Sequence, residues 1–430
     1  MSRTVVIGAG VIGLTCAYAL NRRGERVTVL DAGEPGAACS LGNAGWVCPS
    51  FSGPVPGPGV LGRSLRWLVS PDSPLVIRPR ADFGFLGWLA LFMRSCNTRA
   101  YRAGLEATAL LNARTMALFD ALASDGVRFE MHREGILFVF LDRAAMSHVT
   151  ADLERMRAFG YTAGIILSAK EVREREPMLS DAIVGGVLAP EERHVRPETL
   201  TQGLVAALRE TGVEIDAHRP ATGLRQHRGG TSTRVTTGVE TRDGALEADH
   251  IVIAAGAWSG LLTRMAGCRV PLQAGKGYSI TLAGPASQIR RPLYLDEAKI
   301  ACSNFDGVLR LAGTMELAGH DTTLDARRVD AMRRNAGRYL VRWSRADREV
   351  TWTGLRSMTP DGLPMIGRLP GHDNLYIATG HAMLGVTLAP ATADALAELI
   401  TTGRSSVDLS AFDPGRFGRS REPRFSQLPC

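Results

Sequence analysis

Three glycines and one acid near the start of the chain have the types and spacing to hold a dinucleotide. They sit in Gly8-Ala9-Gly10-Val11-Ile12-Gly13 and at Asp31. Gly8 suits a tight turn, Gly10 lets a backbone approach a pyrophosphate, and Gly13 lets the following helix pack closely on a sheet. The helix that begins at Val11 and Ile12 offers free N–H groups and the positive end of its dipole to that pyrophosphate. Asp31 ends a second apolar run, where a carboxylate can bind a ribose 2′-hydroxyl. An acid at position 31 argues against a 2′-phosphate and leaves NAD and FAD both open.

The elements that must position these groups are legible nearby. Val5-Val6-Ile7 and Val27-Thr-Val-Leu30 read as buried parallel strands flanking a helix. Gly33 to Gly45 and then Pro49 to Pro58 are rich in glycine, proline and small residues, so they leave the first α/β unit. Helices are predicted over most of 60–125, and then at 143–159, 198–211 and 325–343. Strands are predicted at 127–130, 135–140, 187–190 and 213–215, with a hairpin over 234–253 and alternating strands over 270–315. His250-Ile-Val-Ile-Ala-Ala255-Gly256 ends in small residues suited to passing beside a nucleotide. Asn374-Leu-Tyr-Ile-Ala-Thr-Gly380 is a further strand, and a helix is expected from about Leu384.

The fold expected is α/β, with a Rossmann-type dinucleotide domain interleaved with an α+β substrate domain on a mixed or antiparallel sheet. The first would use 1–48, 191–265 and 346–430, and the second 49–190 and 266–345.

Composition narrows the function classes. Seven scattered cysteines without a CxxC pair predict reduced thiols, and nine histidines without ligand spacing predict no metal. The net charge of +7 is carried almost wholly by arginines interleaved with acids, so no nucleic-acid surface is expected. The first strand begins at residue 4, which leaves no room for a signal peptide and predicts a cytoplasmic protein. No apolar run reaches the roughly 20 residues of a membrane span. The segment 83–93, with Arg78, Arg80 and Arg94 beside it, reads either as a helix packed on the substrate domain or as a peripheral membrane contact.

Later motifs narrow the cofactor. Trp352-Thr-Gly-Leu-Arg356-Ser-Met-Thr-Pro-Asp361-Gly-Leu-Pro364-Met-Ile-Gly367 and Gly380-His381-Ala-Met-Leu384-Gly385-Val386-Thr387 carry a resemblance, as do Ser40-Leu-Gly-Asn43-Ala44-Gly45, Ala254-Ala255-Gly256-Ala-Trp258, Gly275-Lys276-Gly-Tyr278 and Ala312-Gly-Thr314-Met-Glu316. Together they resemble the FAD-dependent amino-acid oxidoreductases of the D-amino-acid oxidase fold, and within them the D-amino-acid dehydrogenases. Two positions depart from the family pattern: Ser357 where it often has proline, and Ala382 where it often has glycine.

The resemblance implies noncovalent FAD, oxidative deamination of a D-amino acid by hydride transfer from Cα to the flavin, with the imine hydrolysed to a 2-oxo acid and ammonia or released as a cyclic imine from a D-proline-type substrate, and an electron acceptor that is a quinone, another carrier or oxygen. A glycine or sarcosine-type oxidase is the alternative on the same fold. A tRNA-modifying flavoprotein and an NAD-dependent dehydrogenase are alternatives of other classes. Arg356 is the candidate carboxylate anchor, because a guanidinium binds two oxygens at once; a structural ion pair is its other reading. Tyr278 is a candidate second donor or a core tyrosine, and Lys276 a candidate site residue or an exposed turn lysine. His381 is a candidate flavin or substrate contact and a weaker candidate proton acceptor. Ser40, Asn43, Ala44 and Gly45 are expected beside the flavin ring, with Asn43 equally suited to a turn. Ala255, Gly256, Trp258, Gly380, Leu384, Gly385, Val386 and Thr387 complete the expected cofactor contacts.

Overall fold

The computed structural model describes residues 1–68, 72–228, 233–284 and 289–418. Cys430 and the end of the expected nucleotide-binding portion lie outside them.

A six-stranded sheet forms the first layer. Its order is Glu214–Asp216, Arg26–Leu30, Arg3–Ile7, His250–Ile253, Leu375–Thr379 and Met365–Arg368. The first five strands run parallel and the last is antiparallel to its neighbour. Both faces of this sheet are covered, which is why its strands are apolar at nearly every position. Val6, Val252 and Ala378 face a core made with the helices Val11–Arg22, Pro197–Glu210 and Gly385–Thr402. Val5, Ile7, Ile251, Ile253 and Ile377 face the opposite way. There they meet a three-stranded antiparallel sheet, Gly223–Arg228, Arg234–Thr241 and Gly244–Glu247, together with the helix Ser259–Met265. Arg3–Ile7 lies between strands that follow it on either side, so the chain reverses its winding there. Ligands of open α/β sheets bind at the strand C-termini beside such a switch point.

The second sheet has nine strands. Eight follow the order Arg348–Met358, Gln273–Ala283, Val308–Leu317, Ile300–Phe305, Leu293–Leu295, Ile136–Phe140, Gly185–Ala189 and Ile165–Ser168, and Leu75–Ile77 pairs with the end of Val308–Leu317. Most pairs are antiparallel and two are parallel. Both the α/β layer and the mixed sheet expected from the sequence are present.

Two expected boundaries are corrected. The expected nucleotide-binding portion includes Arg348–Met358, yet this strand pairs along its whole length with Gln273–Ala283 in the second sheet. The chain crosses to the first sheet only after Met358. Conversely, Leu111, Phe119 and Leu122, within the stretch assigned to the substrate domain, join the core of the first sheet. Local periodicity identifies such helices but not the layer on which their apolar face lands. The strand predicted at 127–130 forms at Met131–His132, where it pairs with Arg193–Val195.

Candidate functional site

The C-terminal ends of four parallel strands converge on one crevice. Gly8 follows the first strand with φ +113°, and its N–H donates to Leu30 O at 2.7 Å. A β-carbon there would lie 2.5 Å from Ala254 O, and one on Gly13 would lie 1.8 Å from Gly8 O. These two glycines therefore serve the contact between turn, helix and third strand. Gly10 differs: the nearest atom to a β-carbon there is Ser40 Oγ at 3.5 Å, so that position opens onto free space. No side chain caps the helix at Gly10, although the Val11 N–H donates to Ser40 Oγ at 3.0 Å. The Val11 and Ile12 side chains pack into the core, which leaves the backbone to face the crevice.

Asp31 reaches the same loop. Its carboxylate accepts from the Ala9 N–H at 2.6 Å and the Gly33 N–H at 2.8 Å. Ala255 and Gly256 end the third of these strands, and at Gly256 (φ +52°) a β-carbon would meet nothing within 4 Å. Gly380 ends the fourth, and the helix Gly385–Thr402 starts after Leu384 with no side-chain cap. The cradle of open backbone, an acid at the second strand and two uncapped helix N-termini fits a dinucleotide with a ribose and a pyrophosphate.

The second sheet closes over the segment 40–46. One face of it holds that segment through residues the sequence reading missed. Arg310 is 4% exposed and donates to Leu41 O at 3.1 Å and Asn43 O at 3.0 Å, while pairing with Glu198. The Ser303 hydroxyl donates to Ala44 O at 2.7 Å and accepts from the Trp46 indole at 2.9 Å. Trp352 lies across Gly42, where a β-carbon would come within 1.9 Å of the indole. Asn43 is a turn residue, its Oδ1 accepting from the Gly45 N–H at 2.7 Å. Thr387, at the start of the C-terminal helix, donates to Trp46 O at 2.9 Å and accepts from the Cys48 N–H at 3.2 Å. Val386 packs in the core.

Arg356 shares this face of the sheet. Glycine at 277 makes room for it, since a β-carbon there would lie 2.2 Å from the guanidinium. Its Nη1 donates to Thr314 O at 2.8 Å. Among the described residues it makes no ion pair with an acid. The charged end is enclosed by protein, yet the side chain keeps some accessible surface, and burial lowers its pKa from the ordinary value. The Cys39 thiol and the Tyr294 hydroxyl are the titratable groups that feel its charge; burial pushes both upward, so both are neutral. Thr314 itself has φ +60°, an outlier for a β-branched residue, at an irregularity in the pairing of its strand with Gln273–Ala283. That irregularity turns its carbonyl toward Arg356.

Two expected partners of Arg356 lie elsewhere. Side chains alternate across a strand, so Lys276 and Tyr278 point to the face opposite Gly275 and Gly277. Tyr278 is 1% exposed within the core of the second sheet and donates to Glu316 Oε2 at 2.6 Å. Lys276, fully buried, contacts Asp321 Oδ2 at 2.8 Å, Thr323 O at 3.0 Å and Glu316 Oε2 at 3.4 Å. Both are corrected to members of a structural charge network that also engages Arg78. His381 is 4% exposed, and its Nε2 lies 3.1 Å from Thr392 Oγ1 on its own following helix. Burial pulls its pKa down to about 3, so it is a neutral ring and a poor proton acceptor. Trp258 sits at the surface, its ring 6.0 Å from that of His320.

Ser357 and Ala382 are joined to the crevice. Ser357 Oγ accepts from the Gly380 N–H at 3.0 Å, and the Ala382 N–H donates to Ser357 O at 2.9 Å. Ala382 has φ +48°, where an L-residue is strained. Ala382→Gly is expected to raise stability by about 0.5–1 kcal/mol, the relief of strain exceeding glycine's extra unfolded-state entropy. A urea-denaturation midpoint at or below that of the parent would contradict this.

These features define an FAD-dependent oxidoreductase, and the chain belongs to that family: the family model described as FAD dependent oxidoreductase (DAO) matches residues 3–399. It is an enzyme of this class and its cofactor is FAD. Among curated relatives, a D-amino acid dehydrogenase of Cereibacter sphaeroides is 35% identical over 93% of this chain and 91% of its own. One of a Methylobacterium species is 33% identical over 97% of this chain and the full length of its own. Among solved structures, glycine oxidase of Geobacillus kaustophilus matches with a TM-score of 0.74 and 22% identity, over 97% of this chain and 99% of that one. L-proline dehydrogenase of P. horikoshii matches with a TM-score of 0.74 and 22% identity, over 97% and 98%. These two likenesses show the fold.

Proposed function

We propose that this chain oxidises a small α-amino acid, of the D-series, to its imino acid. The observation that carries this reading is Arg356: an enclosed guanidinium with no acidic partner among the described residues, whose charge is felt by Cys39 next to the segment 40–46. A substrate carboxylate supplies the missing counter-charge and is fixed by two parallel hydrogen bonds. The names of the full-length relatives support the D-series.

FAD, when bound, accepts a hydride from the substrate Cα. The glycine turn, Asp31 and the N-terminus of Val11–Arg22 would hold its dinucleotide portion. Segment 40–46, clamped by Arg310 and Ser303, and the N-terminus of Gly385–Thr402 would hold the ring. Arg356 would hold the substrate carboxylate and so fix the orientation of Cα. The amine reacts in its neutral form; its nitrogen lone pair becomes the C=N bond as the hydride leaves, and water then releases a 2-oxo acid and ammonia. A cyclic secondary amine such as D-proline would leave as a cyclic imine instead.

Anaerobic titration tests the reading. The flavin absorbance is expected to bleach with D-alanine or D-proline and to persist with their L-enantiomers. Bleaching by glycine or sarcosine alone would replace it with the glycine-oxidase reading, and no bleaching by any amine would refute it.

A peripheral contact with membrane is a second reading, carried by the helix Phe83–Ser95. No helix among the described residues is long and apolar enough to cross a membrane. One side of this helix packs through Phe85 and Trp88, while Phe83 (92% exposed), Leu86 and Met93 are turned to solvent. Arg94 lies exposed in the last turn of the helix, as suits an anionic lipid surface. The protein is expected to cosediment with anionic vesicles and to lose this with Phe83→Asp and Leu86→Asp combined. Equal cosedimentation of parent and variant would remove the reading.

A further inference from the structure

We propose a structural binding site for a borderline-soft divalent cation such as zinc, formed by His132, Glu134 and His194 outside the flavin crevice. The two histidines are directly opposed across the pairing of Met131–His132 with Arg193–Val195. Their rings stack with centroids 4.7 Å apart and planes 15° from parallel.

The hydrogen bonds on the far side of each ring determine which nitrogen is free. His194 Nε2 lies 2.7 Å from Asn304 O, a carbonyl that only accepts, so the proton is on Nε2. His132 Nε2 lies 2.8 Å from Glu130 Oε1, which also accepts from the Asp306 N–H at 2.7 Å. That carboxylate likewise puts the His132 proton on Nε2. Each Nδ1 is then a bare lone pair, and both face one carboxylate: His132 Nδ1 is 3.6 Å from one Glu134 oxygen and His194 Nδ1 is 4.0 Å from the other. His194 Nδ1 is buried and has no hydrogen-bond partner. Among the described residues, no Lys or Arg pairs with the Glu134 carboxylate.

A cation between them would satisfy three acceptor atoms that face one another. The three ligand atoms all fall within 4.8 Å of one another. Two imidazole nitrogens and one carboxylate oxygen match the donor preference of zinc and not that of magnesium or calcium. Glu130 and the Asn304 carbonyl play the orienting part that outer partners play for metal-bound histidines. Glu134 is 40% exposed, which leaves the cation an entry path.

The site would brace the flavin loop from outside. His194 pairs with Trp46 of the short strand Trp46–Val47, and Val195 N–H donates to Gly45 O at 2.8 Å. A cation here would tie the strand beside that loop to the 130–134 segment.

The test uses untagged, FAD-loaded protein stripped of metal with a chelator and titrated with zinc chloride by calorimetry. One equivalent is expected to bind, with a rise of about 2–5 °C in Tm at saturation. Glu134→Gln and, separately, His132→Gln are expected to weaken binding at least about tenfold and to remove the Tm rise, with flavin content unchanged. No binding by the parent would overturn the proposal. So would binding undiminished in both variants, which would place the zinc elsewhere.

Discussion

Arg356→Met is expected to lower kcat/KM for the amino-acid substrate by roughly 100- to 1000-fold while the purified protein stays yellow. Deleting one member of a buried charge pair costs about 2–5 kcal/mol, because the remaining charge is left enclosed without a partner. Here the remaining charge is the substrate carboxylate, so the cost falls on binding and on the orientation of Cα. Arg356→Lys keeps the charge but loses the planar fork and is expected to fall between parent and Met variant. The guanidinium touches Thr314 O and, among the described residues, no acid, so the substitution breaks no ion pair among them. Kinetic constants within threefold of the parent would remove Arg356 from the site. Loss of flavin in the variant would assign it a structural role instead.

The glycine turn yields the second large effect, through a contrast between two of its positions. Gly13→Ala is expected to give protein that is poorly folded or colourless, because its β-carbon would stand 1.8 Å from Gly8 O and both backbones are locked in the core. Gly10→Ala meets only Ser40 Oγ at 3.5 Å, so the fold without cofactor tolerates it. The same methyl group then occupies the space that a pyrophosphate would need. Flavin affinity is expected to fall at least about tenfold in Gly10→Ala, with the thermal unfolding of the flavin-free protein unchanged. Equal flavin retention in parent and Gly10→Ala would place the pyrophosphate elsewhere. The ratio of flavin to protein absorbance after dialysis, read with the apo-protein Tm, separates the two cases.

The chain's own residue order determined the parts that depend on neighbours in sequence. A buried strand, a glycine turn, a helix and a second strand ending in an acid follow one another within the first 31 residues, and their geometry is local. Residues at 250–256 and 374–380 read as strands for the same reason: apolar runs that end in small residues. Family motifs then supplied FAD. Arg356 was legible as a guanidinium in a motif, although its freedom from an acidic partner was not.

Tertiary structure decided the face. Lys276 and Tyr278 stand in the same strand as Gly275 and Gly277, and alternation alone separates the two pairs. Which pair meets the 40–46 segment depends on how the second sheet packs on the first, and that is a contact between distant parts of the chain. It went to the glycines, and at Gly277 only a residue without a side chain leaves room for Arg356. Arg310 gave no signal for a comparable reason. It is one arginine among many in the sequence, and its two carbonyl partners lie far away in sequence, on a loop that pairing across the sheets brings to it. Local patterns specify elements, whereas the side of a sheet that becomes a site is determined by non-local packing.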